Sequence, residues 1–175
     1  MLCGELVALR QVTESDLPQL EAWAADSDYE SQYNSFGLKR DGWVRAAFAE
    51  DGFISDSNGK LLVATLAGEL VGDVNYRVVA YGPLVSSRAY EIGITIAPAH
   101  RGKGYGAEAQ RLVAAYLFAT YAIERVQAST DVTNLAEQRA LERAGFTAEG
   151  VLRRAQFRNG AWHDLALYSK LRGEG

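Results

Sequence analysis

The most constraining stretch of the chain is Tyr90-Glu91-Ile92-Gly93-Ile94-Thr95-Ile96-Ala97-Pro98, followed at once by Arg101-Gly102-Lys103-Gly104-Tyr105-Gly106. Ile92, Ile94 and Ile96 alternate with Glu91, Gly93 and Thr95, the period-2 pattern of a strand. Pro98 has no N–H for a sheet ladder and ends it. Ala109, Leu112, Val113, Tyr116 and Leu117 then recur at helical spacing. Gly102, Gly104 and Gly106, at alternate positions, let backbone N–H groups come close to a ligand, and the helix start adds partial positive charge. A strand, a bare turn and a helix N-terminus in this order suit a phosphate.

Three readings of that turn compete. A nucleoside-triphosphate loop requires a hydroxyl residue after its lysine, and Lys103 is followed by Gly104, so that reading is excluded. A dinucleotide loop is met literally by Gly102, Gly104 and Ala107, with Asp131 roughly where an acidic residue belongs. That fold needs several strand-helix units, whereas the clear one here runs from Tyr90 to Asp131. The third possibility is a tight strand-to-helix turn and nothing more, although such a turn needs one glycine of this kind.

The rest of the chain restricts the architecture. Glu5–Arg10 reads as a first strand. Thr13–Pro18 carries helix-start residues, with Leu17, Leu20 and Trp23 as the apolar stripe. Gly42–Phe48 reads as a second helix with Trp43, Ala46 and Ala47 inward. Leu61–Leu66 and Leu70–Val79 flank the turn Ala67-Gly68-Glu69 as a hairpin, and Gly72 within it predicts a bulge or a close approach. Arg125–Thr130 should lie parallel to the Tyr90 strand through a right-handed crossover. Asn134 and Glu137 have capping-box spacing, Gly145 suits a left-handed helix stop before Phe146, and Asn159-Gly160 turns a final hairpin. Antiparallel strands before one crossover predict an α/β fold with a mixed, mostly antiparallel sheet. At 175 residues the chain is expected to be one domain spanning 1–175, with its core over about 5–172.

The ordered series resembles the GNAT superfamily of acetyl-CoA-dependent N-acetyltransferases. Arg101-x-x-Gly104-x-Gly106 after a strand is similar to its pyrophosphate loop. Asn134 with Leu141–Phe146 is similar to its next helix and turn. Glu149–Arg153, Gly160, Asp164, Tyr168 and Leu171, together with Leu9-Arg10, Asp16-Leu17 and Trp23, resemble the ribosomal-protein alanine N-acetyltransferase (RimJ/RimL-like) branch. The resemblance implies a central parallel strand pair splayed to admit acetyl-CoA. Pantetheine would pair with backbone near Ile94, Thr95 and Ile96, and a backbone N–H near Ile94 would face the thioester oxygen. The pyrophosphate would rest on Arg101, Gly102, Lys103, Gly104, Tyr105 and Gly106, with Asn134 contacting the cofactor or only capping its helix.

Glu91, opposite the three isoleucines, matches the strand glutamate that several members use as a base; an ion pair with a neighbouring-strand Lys or Arg is the other reading. Tyr168 and Ser129 stand in for the acid, since the helix after Asn134 lacks a tyrosine. The first helices would wall an acceptor site, with Tyr33, Phe36 and Trp43 as substrate contacts or as packing. Glu137 replaces a usual serine, which favours capping.

Composition removes other classes. Net charge is −4 from 18 basic and 22 acidic residues, against a nucleic-acid partner. Cys3 is the single cysteine, so no internal disulfide forms and a reducing, cytoplasmic setting is expected. The longest uncharged apolar segment, Leu112–Ile123, is too short for a membrane span, and no leader is read at the start. His100 and His163 are isolated, which predicts no metal site. The expected function is acetyl transfer to a primary amine, either a small molecule or a protein N-terminus, by direct attack. The alternative is a non-catalytic acyl-CoA-binding module. A homodimer through the C-terminal hairpin is compatible with either.

Overall fold

The computed structural model describes residues 1–174. Its strands are β1 (Leu2–Cys3), β2 (Val7–Gln11), β3 (Asn58–Thr65), β4 (Leu70–Ala80), β5 (Arg88–Ile96), β6 (Arg125–Asp131), β7 (Thr147–Arg158) and β8 (Ala161–Leu171). The helices are α1 (Leu17–Ala25), α2 (Ser27–Asn34), α3 (Trp43–Asp51), α4 (Tyr105–Thr120) and α5 (Leu135–Arg143). The strands form one sheet in the order β1-β2-β3-β4-β5-β6-β8-β7. Every neighbouring pair is antiparallel except β5–β6, so the sheet is mixed and mostly antiparallel.

Helices cover both faces of the sheet. On one face, Val113 and Leu117 of α4 and Leu141 of α5 pack on Val74, Tyr76, Ile92 and Val126. On the other, Leu17, Leu20 and Trp23 of α1 gather with Tyr29, Val44 and Leu62. Fully burying one such aliphatic side chain contributes about 1.5–3 kcal/mol, so these two clusters dominate the stability.

Gly72 combines both of its expected features. The β3–β4 register shifts beside it, and a Cβ there would lie 2.2 Å from the Thr95 carbonyl oxygen. The shift inverts the alternation along β4. Val71 on one side of it and Val74 and Tyr76 on the other all reach the α4 face, which turns Asp73, Asn75 and Arg77 toward α1–α3.

The strand expected from Glu5 is β2 and begins later, at Val7, because the N–H groups of Glu5, Leu6 and Val7 donate to the Glu108 carboxylate at 2.8, 2.7 and 2.7 Å instead of to a ladder. Burial pushes that carboxyl up, but the three bonds bring it net below its ordinary range. In α3, Val44 is buried and Ala46 is exposed, which corrects the inward face: Val44, Ala47 and Phe48 share the helical stripe against α1. Polar Asp26–Phe36, read without a helix, forms α2, capped by Asp26 and kinked at Ser31 (φ 60°). At α5 only half of the capping box forms. Asn134 Oδ1 accepts from the Glu137 N–H at 3.3 Å, while the Glu137 side chain turns toward buried Gln110. Among the described residues, no helix is long and apolar enough to cross a membrane.

Candidate active site

The parallel pair β5–β6 is hydrogen-bonded only at Tyr90↔Val126 and Glu91↔Gln127. Beyond Glu91 the two strands diverge, so the edge of β5 that faces β6 has peptide groups without a ladder partner from Ile92 onward. A cleft of about 500 Å³ opens at this point, with Ile94, Thr95 and Ile96 on one wall, Asn134 and Glu137 on the other, and the glycine turn at its end. Gly102 (φ 77°) and Gly104 (φ 85°) occupy left-handed backbone that other residues adopt at a cost. Gly104 is the N-cap of the 16-residue α4, whose first-turn N–H groups point out of the helix end beside the cleft.

The cationic residues of the turn are arranged differently from the expectation. Arg101 donates Nε to the Ile96 carbonyl at 2.9 Å and Nη2 to the Asp28 and Tyr29 carbonyls at 2.8 and 3.0 Å. Its guanidinium therefore ties the turn to β5 and α2. Lys103 is exposed and does not line the cleft, whereas Arg139 and Arg143, one turn apart on α5, do. Their four-residue spacing was the available signal for them. Asn134 lines the cleft with both side-chain atoms engaged, Nδ2 donating to Thr130 Oγ1 at 3.1 Å. Burial pushes the Glu137 carboxyl up to about 8, with the Gln110 side chain partly opposing it.

A second cavity, about 600 Å³, lies under α1–α3 on the opposite face of the sheet from α4. Glu91 projects into it from β5. Ser129 Oγ donates to Glu91 Oε1 at 2.9 Å, and Arg77 Nη2 pairs with Oε2 at 2.7 Å. The ion pair and the place in the cavity thus coexist, and Ser129 spends its proton orienting the carboxylate. Nearby, buried Asp73 pairs with Lys60 and accepts from the Tyr29 hydroxyl at 2.6 Å. Burial and the Asp73 charge raise the Tyr29 phenol far above its ordinary value. The Tyr29 ring stacks on Trp23 with centroids 4.6 Å apart. Glu30 pairs with Lys39, whose ammonium also stands 5.1 Å from the Trp43 ring centroid.

Trp43 and Phe36 line this cavity, Phe36 being 59% exposed. Tyr33 does not; it lines the first cleft and donates to the Thr133 carbonyl at 3.4 Å. Tyr29, Lys60, Asp73 and Arg77 also line the cavity, beyond the site residues that the sequence predicts. The polar alternation Asp73-Asn75-Arg77 against Val74, Tyr76 and Val78 was the signal that marked a wet face on β4.

Tyr168 is placed away from Glu91 and Ser129, a correction that follows from register. It pairs with Ala128, so it lies on the opposite face of the sheet from Ser129, which pairs with Leu167. Its ring is buried in the core under α5, and its hydroxyl is 3.3 Å from Glu142 Oε1 and 3.4 Å from Gln138 Oε1. Tyr90 likewise faces α4 and does not shield Glu91. His100 stands 3.5 Å from Glu69, and His163 is 3.0 Å from Asp131. Among the described residues, no group of three or more His, Cys, Asp or Glu side chains could hold a metal ion.

The cleft and the cavity are contiguous: Tyr29, Asn34, Ile94 and Thr95 line both. A molecule threaded between the diverging strands and one seated under α1–α3 would meet on β5 at Ile94 and Thr95, in the cavity that Glu91 also lines.

The acetyltransferase (GNAT) domain family model matches residues 7–147. The chain is 38% identical over 95 residues, 54% of its length, to the probable N-acetyltransferase YjcK of Bacillus subtilis (strain 168), of which the match covers 51%. It therefore spans about half the length of the curated relatives it matches. The fold superposes on the spermidine N-acetyltransferase from Vibrio cholerae in complex with CoA and spermine with a TM-score of 0.83, at 20% identity over 98% of both chains. It also superposes on RimL, a ribosomal L7/L12 alpha-N-protein acetyltransferase in complex with coenzyme A, with a TM-score of 0.76 at 20% identity over 96% of this chain and 95% of that one.

Proposed function

The chain belongs to the GNAT acetyltransferase family, and from that premise we propose that it transfers acetyl from acetyl-CoA to a primary amine by direct attack within a ternary complex. The observation that carries this reading is the meeting of the two cavities at Ile94 and Thr95. One is a slot with unladdered strand edge, left-handed glycines and a helix N-terminus, features suited to an extended carrier with a diphosphate. The other is a pocket with a fixed carboxylate, suited to an amine.

Acetyl-CoA supplies the activated acyl group as a thioester. Ile94, Thr95 and Ile96 would pair with its pantetheine arm, and a backbone N–H of this strand would donate to the oxygen as negative charge develops there. Gly102, Gly104 and the first turn of α4 would hold the diphosphate, with Arg101 keeping the turn in shape and Arg139 and Arg143 supplying charge. Glu91, held by Ser129 and Arg77, would take one proton from the acceptor ammonium, directly or through water. The freed nitrogen lone pair then attacks the carbonyl carbon, the C–S bond breaks with its electron pair on sulfur, and the second proton of the acylated nitrogen passes to that thiolate or to water. A thiolate is a good leaving group, so no side chain is assigned as its acid. Positioning the two reactants together supplies a large part of the acceleration.

The acceptor lies between the two chemistries represented among the fold's neighbours, a polyamine and a protein α-amino group. The lone Cys3 fits a cytoplasmic setting. The β7–β8 hairpin, with Val151 and Phe157 of β7 and Trp162 of β8 exposed, is the surface on which a second copy would pair. The test is free-thiol release from acetyl-CoA across a panel of amines and N-terminal peptides, beside melting curves with acetyl-CoA and with NAD. Thiol release that depends on an amine is expected. Heat protection without thiol release would leave a binding module, and protection by NAD alone would restore the dinucleotide reading.

A further inference from the structure

Helix α2 cannot hold its own place. It has eight residues, is kinked at Ser31 and buries a single side chain, Tyr29. An isolated helix of that length is marginal in water. Yet it carries Tyr29 and Asn34, which line both cavities. Side chains from other elements fix it, and two of them are guanidinium groups seated on carbonyls of α2 itself.

At one end, Arg101 donates Nη2 to the Asp28 and Tyr29 carbonyls and Nε to the carbonyl of Ile96, the last residue of β5. At the other, Arg158 at the end of β7 donates Nη1 to the Gln32 carbonyl and pairs through Nη2 with Asp131, the last residue of β6. Thr133 sets that carboxylate, its N–H and hydroxyl donating to Oδ1 at 2.8 and 2.6 Å. The Tyr33 hydroxyl reaches the Thr133 carbonyl just past β6, and the Arg158 guanidinium stands 5.8 Å from the Tyr33 ring centroid. Helix α2 is therefore tied to the ends of the two strands that diverge, to β5 through Arg101 and to β6 through Arg158.

The side chains of Arg158 and Asp131 are 2% and 4% exposed, and neither residue lines either cavity. Desolvation offsets much of the attraction in a buried ion pair, which makes it a poor source of net stability. What the planar fork supplies is direction: one nitrogen holds the strand end and another the helix.

We infer that Arg101 and Arg158 are positioning residues, which hold α2 as a bridge over the diverging ends of β5 and β6 so that Tyr29 and Asn34 face both substrates at once. This rests on the acetyltransferase reading. Arg101 then serves the acceptor side more than the diphosphate, although it sits in the glycine turn.

The test uses the full chain with Arg101→Lys and Arg158→Lys, each of which keeps the charge and replaces the fork by a single ammonium. Hydrogen exchange of the 27–34 amides should quicken in both variants. With the best accepted of spermidine, glutamate and a Ser-Ala peptide, kcat/KM for the amine should fall by about tenfold or more. The acetyl-CoA Kd, by calorimetry, should stay within about threefold, since the charge beside the turn is retained. Arg101 is exposed, so its variant should keep the parent's melting temperature even if Arg158→Lys does not. Exchange at α2 unchanged in Arg101→Lys, or a loss that falls on acetyl-CoA affinity with the amine kcat/KM intact, overturns the inference and leaves the enzyme reading standing. No thiol release from the parent protein with any of these amines defeats both.

Discussion

The two cavities that meet on β5 are built in opposite ways. The cofactor-side cleft is mostly backbone: a strand edge freed where β6 diverges, two left-handed glycines and a helix end. The guanidinium of its glycine turn, Arg101, is spent on protein carbonyls. The acceptor cavity is mostly side chain, three ion pairs and a ring of aromatics contributed by β3, β4, β5 and α1–α3. A backbone site recognises a group common to every reaction of a family and leaves little freedom to vary. A side-chain site can be rewritten by single substitutions without disturbing the fold, so acceptor choice belongs there.

Four substitutions break or sharpen that contrast. The largest effect is expected from Glu91→Gln, which should lower kcat by about 10²–10⁴-fold at neutral pH while leaving acetyl-CoA affinity within twofold. Steady-state kinetics beside calorimetric titration of the cofactor check both halves. Next is Gly104→Val. A β-branched residue at φ 85° costs about 1–3 kcal/mol, and the new Cβ would lie 3.3 Å from Leu6 Cδ1. Acetyl-CoA binding should weaken by tenfold or more, with little change in acceptor KM; the reverse split would undo the division of labour.

A smaller effect concerns pH. The Glu137 carboxyl is raised to about 8 in the fold from an ordinary 4.5, so the folded protein keeps a proton that the unfolded chain releases. Stability from this group is complete below about pH 4.5 and declines as pH rises through about 8. Glu137→Gln should flatten that decline, read as a smaller melting-temperature difference between pH 5 and pH 8 without ligand. The smallest effect is expected from Tyr168→Phe: its hydroxyl faces α5, so kcat should stay within twofold while the melting temperature falls by a few degrees.

The same contrast explains what could be read from residue order. The strand, glycine turn and helix that border the cleft were legible because they are contiguous. Ile92, Ile94 and Ile96 alternate, glycines follow, and the helical stripe of Ala109 and Val113 begins within a few residues. The mixed sheet followed from counting antiparallel hairpins before one crossover. The acceptor side was largely hidden. Tyr29 and Asp73 meet across 44 positions and Glu91 and Ser129 across 38, and those contacts depend on strand register, which residue order does not reveal even where Gly72 marks a shift in it. Tyr168 went astray for the same reason. Its face is decided by pairing with Ala128, not by its own strand's alternation alone. The carbonyl partners of Arg101 on α2 could not be read, because they lie 72 and 73 positions away.

The central claim is that carrier and acceptor occupy both cavities at once and react where these meet. The most direct measurement is a matrix of initial velocities, varying acetyl-CoA against an accepted amine. Simultaneous occupancy predicts lines that intersect in the double-reciprocal plot. Parallel lines would contradict it, since they require the acetyl group to rest on the protein before the amine arrives.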